Sequence, residues 1–159
     1  MNIKKDVVCI GGGIMSVTLA RLLQELDSDI DITIYEKLAS CALESSQSIN
    51  NAGTGHAGFC ELNYTPMNRQ QHINVDRALK INKEFEVSLE FWSFLTRKYK
   101  SFKPKSFITQ VPHISYVKGE KNISFLKKRY EVLSKTLLFK GMQFSRANTI
   151  DCACVRTII

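Results

Sequence analysis

Three consecutive glycines, Gly11 to Gly13, separate two apolar stretches near the start of the chain. The first stretch, residues 7–10, is short and continuously apolar, which is typical of a strand buried on both faces. Gly11 permits a sharp turn after this strand, and Gly13 lets the backbone approach a pyrophosphate closely. The second stretch, residues 14–26, predicts an amphipathic helix with an inward face of Met15, Leu19, Leu22, Leu23 and Leu26. This order of elements predicts a dinucleotide-binding βαβ unit.

A second strand is predicted where apolar and polar residues alternate over residues 31–35, and Glu36 follows it directly. Glu36 comes about 20 residues after Gly13, the spacing at which a carboxylate accepts hydrogen bonds from an adenosine ribose. Its negative charge would repel a 2′-phosphate, so FAD or NAD fits better than NADP. Ser16 replaces the third glycine of the usual pattern, but it is small enough for close packing of helix and strand. The alternative interpretation is a surface glutamate beside an ordinary glycine-rich turn.

Charge is unevenly distributed along the 159 residues, whose net charge is +7. Residues 1–60 hold four basic and seven acidic residues, whereas residues 61–159 hold eighteen and eight. The basic residues are densest over residues 97–105, where aromatic residues lie between them. Such a segment is typical of a solvated helix end, but it can also attract an anionic membrane surface, a nucleic acid or acidic small molecules.

The cysteines and the apolar runs exclude several classes of protein. The five cysteines are irregularly spaced, which indicates a reducing cytosol rather than a disulfide framework. No set of metal ligands at a familiar spacing accompanies them, so no metal site is predicted. No apolar run is long enough for a membrane-spanning helix, and no secretory signal is recognisable. We therefore expect a cytoplasmic protein.

A long polar loop follows the second predicted strand. Residues 44–56 are rich in serine, asparagine, glycine and threonine, a composition typical of a loop that lies against a polar cofactor. After the loop, periodicity and capping residues predict four further elements: a helix from Asn74, strands over residues 106–110 and 113–118, and a helix from Asn122 or Ser124 to near Lys140.

These segments resemble the malate:quinone oxidoreductases, a family of FAD-dependent enzymes of bacterial central metabolism. The resemblance covers about residues 5–144 and rests on residues 10–16 and 44–66, with shorter matches at residues 81–82, 91–92, 111–117 and 125–130. It implies an α/β fold class, in which a Rossmann-like FAD-binding βαβ unit lies within residues 1–73. The start of an α+β substrate domain would follow over residues 74–144.

The resemblance also implies which residues contact the cofactor. Gly11, Gly13 and Ser16 would line the FAD pyrophosphate, and Glu36 would bind the adenosine ribose. The loop that runs toward the flavin ring would be formed by Ser45, Ser46, Asn51, Gly53, Thr54 and His56. No catalytic base is assigned. His56 and His113 are the candidates, and a structural hydrogen-bonding role is the alternative for each.

The reaction implied by the resemblance is the oxidation of (S)-malate to oxaloacetate in the tricarboxylic acid cycle, with electrons passed through FAD to a membrane quinone. The implied partners are malate, the quinone and the inner face of the cell membrane, which the protein would contact peripherally, and nucleic acid is not among them. Two alternatives stay open. One is an FAD oxidoreductase of the same fold that acts on another hydroxy acid or an amine, and the other is a non-catalytic nucleotide-binding or membrane-surface module.

The sequence from Ser145 onward no longer follows the family. We interpret residues 145–159 as an off-family tail, and the chain as a truncated or frameshifted form of a longer enzyme. The missing segments would leave the flavin pocket and the substrate site incomplete. Poor solubility and little turnover are therefore expected from these residues alone.

Overall fold

The structure, a computed structural model, describes residues 6–59, 61–146 and 152–158. The chain divides into two units, Met1–Thr54 and Gly55–Ile159. The boundary predicted between residues 73 and 74 falls within the second unit. Some residues on which the predictions fall lie outside the described residues. They are Cys60, which belongs to the resembling run of residues 44–66, and residues 147–151 and 159 of the predicted tail.

The first unit is built from β1 (Asp6–Ile10), α1 (Ile14–Leu26) and β2 (Asp31–Tyr35). β1 and β2 pair in parallel, with Asp6 opposite Asp31 and Ile10 opposite Tyr35. α1 provides the crossover that two parallel neighbours require. The predicted succession of strand, glycine turn, helix and strand is therefore confirmed, as is the mixed α/β character of the chain.

The face of α1 that packs against β1 and β2 differs from the predicted one. Ala20 is buried, and Ser16 and Leu23, one turn to either side, are partly buried. Four residues of the predicted inward stripe are exposed instead: Met15, Leu19, Leu22 and Leu26. Small side chains let a helix approach a sheet closely, so the contact forms along Ser16 and Ala20 rather than along the leucine stripe.

The prediction that β1 is buried on both faces is wrong. Cys9 is buried, but Val8 and Ile10 are 58% and 79% exposed. Successive side chains of a strand point to opposite faces of the sheet. Val8 and Ile10 therefore lie on the face of the two-stranded sheet that α1 does not cover.

The second unit is built from α2 (Asp76–Lys98), β3 (Pro112–Lys118), α3 (Glu120–Leu133), β4 (Gln143–Arg146) and β5 (Cys152–Ile158). The three strands form an antiparallel sheet in the order β3-β5-β4, so β5 is central. Val155 of β5 lies opposite Ser115 on one side and Phe144 on the other. Short 3-10 turns lie at Leu62–Tyr64, Pro104–Ser106 and Leu137–Phe139.

The hydrophobic core of the second unit lies along α3. The buried residues of this helix recur every three or four positions, at Ile123, Leu126, Arg129 and Leu133, as expected of one helical face. The core also draws on the sheet, on α2 and on the segments that flank α2 and α3: Ala57, Phe59, Ala78, Val117, Phe139, Met142, Ala153 and Val155. The helix and the sheet thus bury a shared set of side chains.

The prediction of a strand over residues 106–110 is wrong. The strand predicted over residues 113–118 is confirmed as β3. A 3-10 turn begins at Pro104, whose ring fixes φ in the helical range. The amides of Phe107 and Ile108 donate to the Pro104 carbonyl at 3.1 and 2.9 Å. These bonds curl the chain where an extended strand was expected.

α3 differs from the predicted helix at both ends, because it begins at Glu120 instead of Asn122 or Ser124 and ends at Leu133 instead of near Lys140. The preceding glycine has a φ of +89°, a conformation that glycine adopts at little cost. This turn starts the helix earlier than a capping asparagine or serine would. The leucines that follow Leu133 belong to a separate 3-10 turn.

Much of the predicted tail takes part in the sheet. Ser145 and Arg146 complete β4, and residues 152–158 form β5. Ala153 and Val155 are 2% and 3% exposed, so this strand contributes directly to the core.

A buried guanidinium links α3 to the chain that precedes α2. Arg129 is 1% exposed. Its Nε donates to Thr65 Oγ1 at 2.8 Å, and its Nη2 donates to the Phe59 carbonyl at 3.2 Å. Burying a charged group costs free energy unless hydrogen bonds compensate, and these bonds supply that compensation. Arg129 thereby ties Phe59 and Thr65 to the helix.

We expect Arg129→Met to destabilise the second unit by about 2–4 kcal/mol, because two buried acceptors lose their donors. Arg69→Met, at an exposed position, is the matched control and should change stability by no more than about 0.5 kcal/mol. Urea unfolding followed by the fluorescence of Trp92, the single tryptophan, measures both. Equal effects of the two substitutions would contradict the role assigned to Arg129.

Candidate functional site

Hydrogen bonds donated by backbone amides hold the turn from β1 into α1. Gly11 has a φ of +90°, a backbone conformation that residues with a Cβ rarely adopt. Its amide donates a hydrogen bond to the Tyr35 carbonyl at 2.7 Å. The N-cap of α1 is Gly13, which has no side chain to cap the helix. The Ile14 amide donates instead to Ser46 Oγ at 2.9 Å. A distant loop therefore caps the helix.

Gly12 is a residue of this turn to which the sequence analysis gave no role. Its amide donates to Glu36 Oε2 at 2.6 Å. A Cβ on this residue would lie 2.7 Å from Cys41 Sγ, closer than van der Waals contact allows. The fingerprint requires glycine at the positions of Gly11 and Gly13 but leaves the position between them free. A glycine at that free position is a signal in the sequence that a side chain does not fit there.

Glu36 joins the end of β2 to the glycine turn. Besides the Gly12 amide, its carboxylate accepts the Leu38 amide, through Oε1 at 2.9 Å. The hydrogen bonds from Leu38 and then Gly12 hold the pKa of Glu36 below its ordinary value of 4.5. The carboxylate is thus anionic at neutral pH, and its oxygens keep lone pairs for further donors.

Asparagine amides brace the loop that carries the capping serine. Asn51 Nδ2 donates to the carbonyls of Ser45 and Gln47 at 3.1 and 2.8 Å. Asn50 Nδ2 donates to the Glu44 carbonyl at 2.8 Å. These bonds close residues 44–51 into a compact loop, so the position of the serine hydroxyl at the helix N-terminus is fixed by the loop as a whole.

A cleft of about 430 Å³ lies where the turn, the end of β2 and this loop meet. Its lining contains six of the predicted cofactor residues: Gly11, Gly13, Ser16, Glu36, Ser45 and Ser46. Two charged side chains at this cleft, Lys37 and Glu44, form an exposed ion pair of 3.2 Å. The cleft therefore combines a helix N-terminus, the Glu36 carboxylate and three serine hydroxyls.

The other predicted cofactor residues lie elsewhere. Asn51, Gly53 and Thr54 belong to the first unit but do not line the cleft, and His56 belongs to the second unit. Of these, Asn51 acts on the cleft indirectly, through the loop that it closes.

The second unit brings together the two histidines that were considered as catalytic candidates. His56 and His113 are close enough to interact electrostatically. His113 Nε2 lies 3.3 Å from Ser115 Oγ, and the His56 ring stacks on Tyr64 with 6.0 Å between ring centroids. The Arg77 guanidinium lies 4.8 Å from the centroid of the same tyrosine ring. Nδ1 of His56 is buried and has no hydrogen-bond partner within the described chain.

The surroundings of His113 favour the neutral imidazole. Burial lowers the pKa of His113 from its ordinary value of 6.5, and the charge of Arg129 and the proximity of His56 lower it further. A hydrogen bond to the Phe59 backbone opposes these effects without reversing them. The imidazole of His113 is therefore neutral at neutral pH. Periodicity in the sequence could not reveal this property.

Residues 6–59, 61–146 and 152–158 contain neither a cluster of metal ligands nor a membrane-spanning helix. In this part of the chain, no three histidine, cysteine, aspartate or glutamate side chains are grouped so as to hold a metal ion. None of its helices is long and apolar enough to cross a membrane.

Comparison with known proteins places the chain in a family. The sequence profile of the malate:quinone oxidoreductase family matches residues 3–152. A probable malate:quinone oxidoreductase of Bacillus mycoides (strain KBAB4) is 49% identical over 147 residues, which are 92% of this chain and 29% of the relative. Probable malate:quinone oxidoreductases of Bacillus thuringiensis (strain Al Hakam) and Bacillus cereus (strain B4264) are 50% identical, with the same coverage. The chain thus spans 29% of the length of these curated relatives.

The elements and the cleft are those of an α/β protein that presents a glycine turn, a helix N-terminus and a strand-end carboxylate to one groove. The profile match, which extends over most of the chain, is more specific. The chain belongs to the malate:quinone oxidoreductase family. The match extends to residue 152, beyond the point near residue 144 where the resemblance was expected to end.

The lowered pKa of His113 makes stability depend on pH. Just below pH 6.5 the unfolded chain binds a proton at this histidine more readily than the folded chain does. The free energy of unfolding should therefore fall as pH decreases from about 7.5 to about 5.5, a range above that in which carboxyl groups titrate. Urea unfolding at the two pH values, followed by Trp92 fluorescence, measures the decrease.

Two substitutions test the assignment to His113. His113→Gln should show a smaller decrease between the two pH values than the unmodified chain. His72→Gln, at an exposed histidine, is the matched control and should leave the decrease unchanged. If His113→Gln retained the full pH dependence, another group would have to be responsible.

Proposed function

We propose that the cleft of the first unit binds the ADP portion of FAD, and that the chain carries the FAD-binding segment of a malate:quinone oxidoreductase. The observation that carries this proposal is the meeting of the glycine turn, the N-terminus of α1 and Glu36 in one cleft. A helix N-terminus attracts phosphate through its amides and its dipole. The volume of about 430 Å³ also lies within the range of small-molecule sites.

The residues at the helix N-terminus suit a pyrophosphate. Gly11 and Gly13 have no side chains that would obstruct a phosphate, and Ser16 is small. Ser46 accepts the Ile14 amide through its oxygen, so its hydroxyl hydrogen can be donated to a phosphate oxygen. The Ser45 hydroxyl, at the same surface, offers a second donor.

Glu36 suits the adenosine ribose. Its anionic carboxylate keeps lone pairs that can accept the ribose hydroxyls. The same charge would repel the 2′-phosphate of NADP, as the sequence analysis expected. For the remaining loop residues, Asn51, Gly53 and Thr54, together with His56, we retain the proposal of a path toward the flavin ring.

For the whole enzyme we propose the oxidation of (S)-malate to oxaloacetate, with a quinone of the cell membrane as electron acceptor. The support is the family membership and the names of the relatives. When bound, FAD would accept the hydride that malate loses. The protein would work in the cytoplasm at the inner face of the membrane, where malate and the quinone are both accessible.

Within this proposal, His113 is the better candidate for accepting the malate hydroxyl proton. Its lowered pKa keeps the imidazole neutral at the pH of the cytoplasm, and a base must be unprotonated to accept a proton. His56, which is stacked on Tyr64, is the alternative.

Isothermal titration of the chain with FAD, ADP and NADP tests the cleft. We expect FAD and ADP to bind with similar affinity, because the proposed contacts lie in the ADP portion, and NADP to bind more weakly. Glu36→Gln should weaken FAD binding by about tenfold or more, because charge-assisted hydrogen bonds to the ribose are lost. The same substitution should also reduce the difference in binding affinity between ADP and NADP.

Asp29→Asn removes an exposed carboxylate of the same unit and serves as the matched control, which should leave FAD binding unchanged. Circular dichroism establishes whether each variant is folded, since Glu36 also holds the glycine turn. Equal binding of FAD to folded Glu36→Gln and to the unmodified chain would contradict the proposed ribose contact.

Anaerobic bleaching of bound flavin tests the reaction. The full-length Bacillus cereus relative should bleach with (S)-malate and much less with lactate. This chain, which spans 29% of that relative, should bind FAD without bleaching because most of the enzyme is not represented in it. Equal bleaching of the relative by lactate would contradict malate as the substrate.

A further inference from the structure

Residues 91–119 contain six basic residues and no acidic residue. Five of the basic residues lie at or just after the end of α2: Arg97, Lys98, Lys100, Lys103 and Lys105. A helix C-terminus attracts positive charge, but the effect fades within the last turn. It accounts for Arg97 and Lys98, and it leaves the three lysines beyond the helix unexplained.

Bulky apolar side chains are exposed among these charges. Phe94 and Phe107 are 40% and 39% exposed, and Ile108 and Val111 are 42% and 56% exposed. Lysines and apolar side chains thus share one segment of the second unit. We call the five basic residues and these four apolar residues together the basic apolar patch.

An aromatic cluster that includes Phe107 joins the patch to α2. Phe102 and Phe107 stack with 4.4 Å between ring centroids and an interplanar angle of 5°. Trp92 of α2 packs on both, at 5.4 Å from Phe107 and 6.1 Å from Phe102. These contacts fix the chain after α2 to the helix at Phe102 and Phe107, and Ile108 follows directly.

We propose that the basic apolar patch docks on the surface of a bilayer that contains anionic phospholipids. Lysines near such a surface are attracted to the lipid headgroups, and exposed apolar side chains enter the boundary between headgroups and acyl chains. The docking site deepens the proposed function, on which its physiological meaning rests, because a membrane quinone is reached from the membrane surface.

The same charges could attract a nucleic acid, but the aromatic residues favour the bilayer. Proteins that bind single strands stack bases on open aromatic faces. Here Phe102 and Phe107 stack on each other, and Trp92 covers part of both. Ile108 and Val111 offer no ring on which a base could stack. The exposed aliphatic groups suit a lipid interface.

Trp92 gives a direct readout of docking, because it is the single tryptophan and lies against the patch. The purified chain is mixed with phosphatidylcholine vesicles that contain phosphatidylglycerol, with brominated acyl chains as fluorescence quenchers. We expect quenching of Trp92 with these vesicles and little quenching with vesicles of phosphatidylcholine alone. High salt should weaken the binding.

Charge variants locate the docking surface. Lys103→Gln with Lys105→Gln should raise the lipid concentration for half-maximal quenching by at least about tenfold. Lys121→Gln with Lys140→Gln removes the same charge from exposed positions outside the patch and should change it by less than about threefold. Ile108→Ser with Val111→Ser should reduce the depth of quenching even where the chain still sediments with the vesicles.

Three outcomes would overturn the proposal. Equal losses of vesicle affinity in the two double lysine variants would mean that the net charge of the chain, and not the patch, drives binding. Trp92 emission that is insensitive to brominated lipid would place the patch away from the bilayer. Tighter binding of a DNA oligonucleotide than of vesicles at the same salt would favour a nucleic acid. Vesicle binding and malate oxidation are measured separately, so failure of one leaves the other intact.

Discussion

The second unit depends on the burial of one guanidinium. Arg129 is removed from water on the core face of α3, where the other buried positions are apolar. A charge in such a place is tolerated only when its donors are satisfied, and the Phe59 carbonyl and Thr65 hydroxyl satisfy two of them. Asn82 acts similarly from α2, since its buried amide donates to the Ala57 carbonyl at 3.0 Å. Two helices therefore hold the same segment through polar contacts inside an apolar core.

This arrangement also sets the environment of the histidines. Burial of His113 and, after it, the charge of Arg129 lower the pKa of this histidine. The backbone of Phe59 contacts His113 and also accepts a hydrogen bond from the Arg129 guanidinium. The buried Arg129, which holds the core together, thus also lowers the pKa of His113, a candidate catalytic base. In the first unit, one group likewise has a structural and a proposed functional role. The Glu36 carboxylate accepts a hydrogen bond from the glycine turn, and it is also the proposed ligand of the ribose.

The sequence predicted best where glycine and strict alternation act together. The strand, turn, helix and strand of the first unit were found because Gly11 needs a positive φ and residues 31–35 alternate. Periodicity did not identify the face of α1 that packs, since it reports where apolar residues lie and not what covers them. The six cleft residues followed from the fingerprint and the resemblance. Gly12 was missed although the extra glycine is visible in the fingerprint; the neighbour that leaves no room for a side chain there is Cys41, from a later loop. Arg129 was missed because no local pattern encodes its contacts with Phe59 and Thr65.

The order of strands in the second sheet has a consequence for synthesis on the ribosome. β3 and β4 do not pair with each other, and both pair with β5, which follows them in the chain. Until β5 has emerged from the exit tunnel, neither edge of β3 or of β4 is therefore paired within this sheet. Such edges are templates for pairing with other chains. The nascent protein consequently passes through a stage in which a chaperone that shields strand edges would protect it, and the insertion of β5 then pairs one edge of each of the two strands.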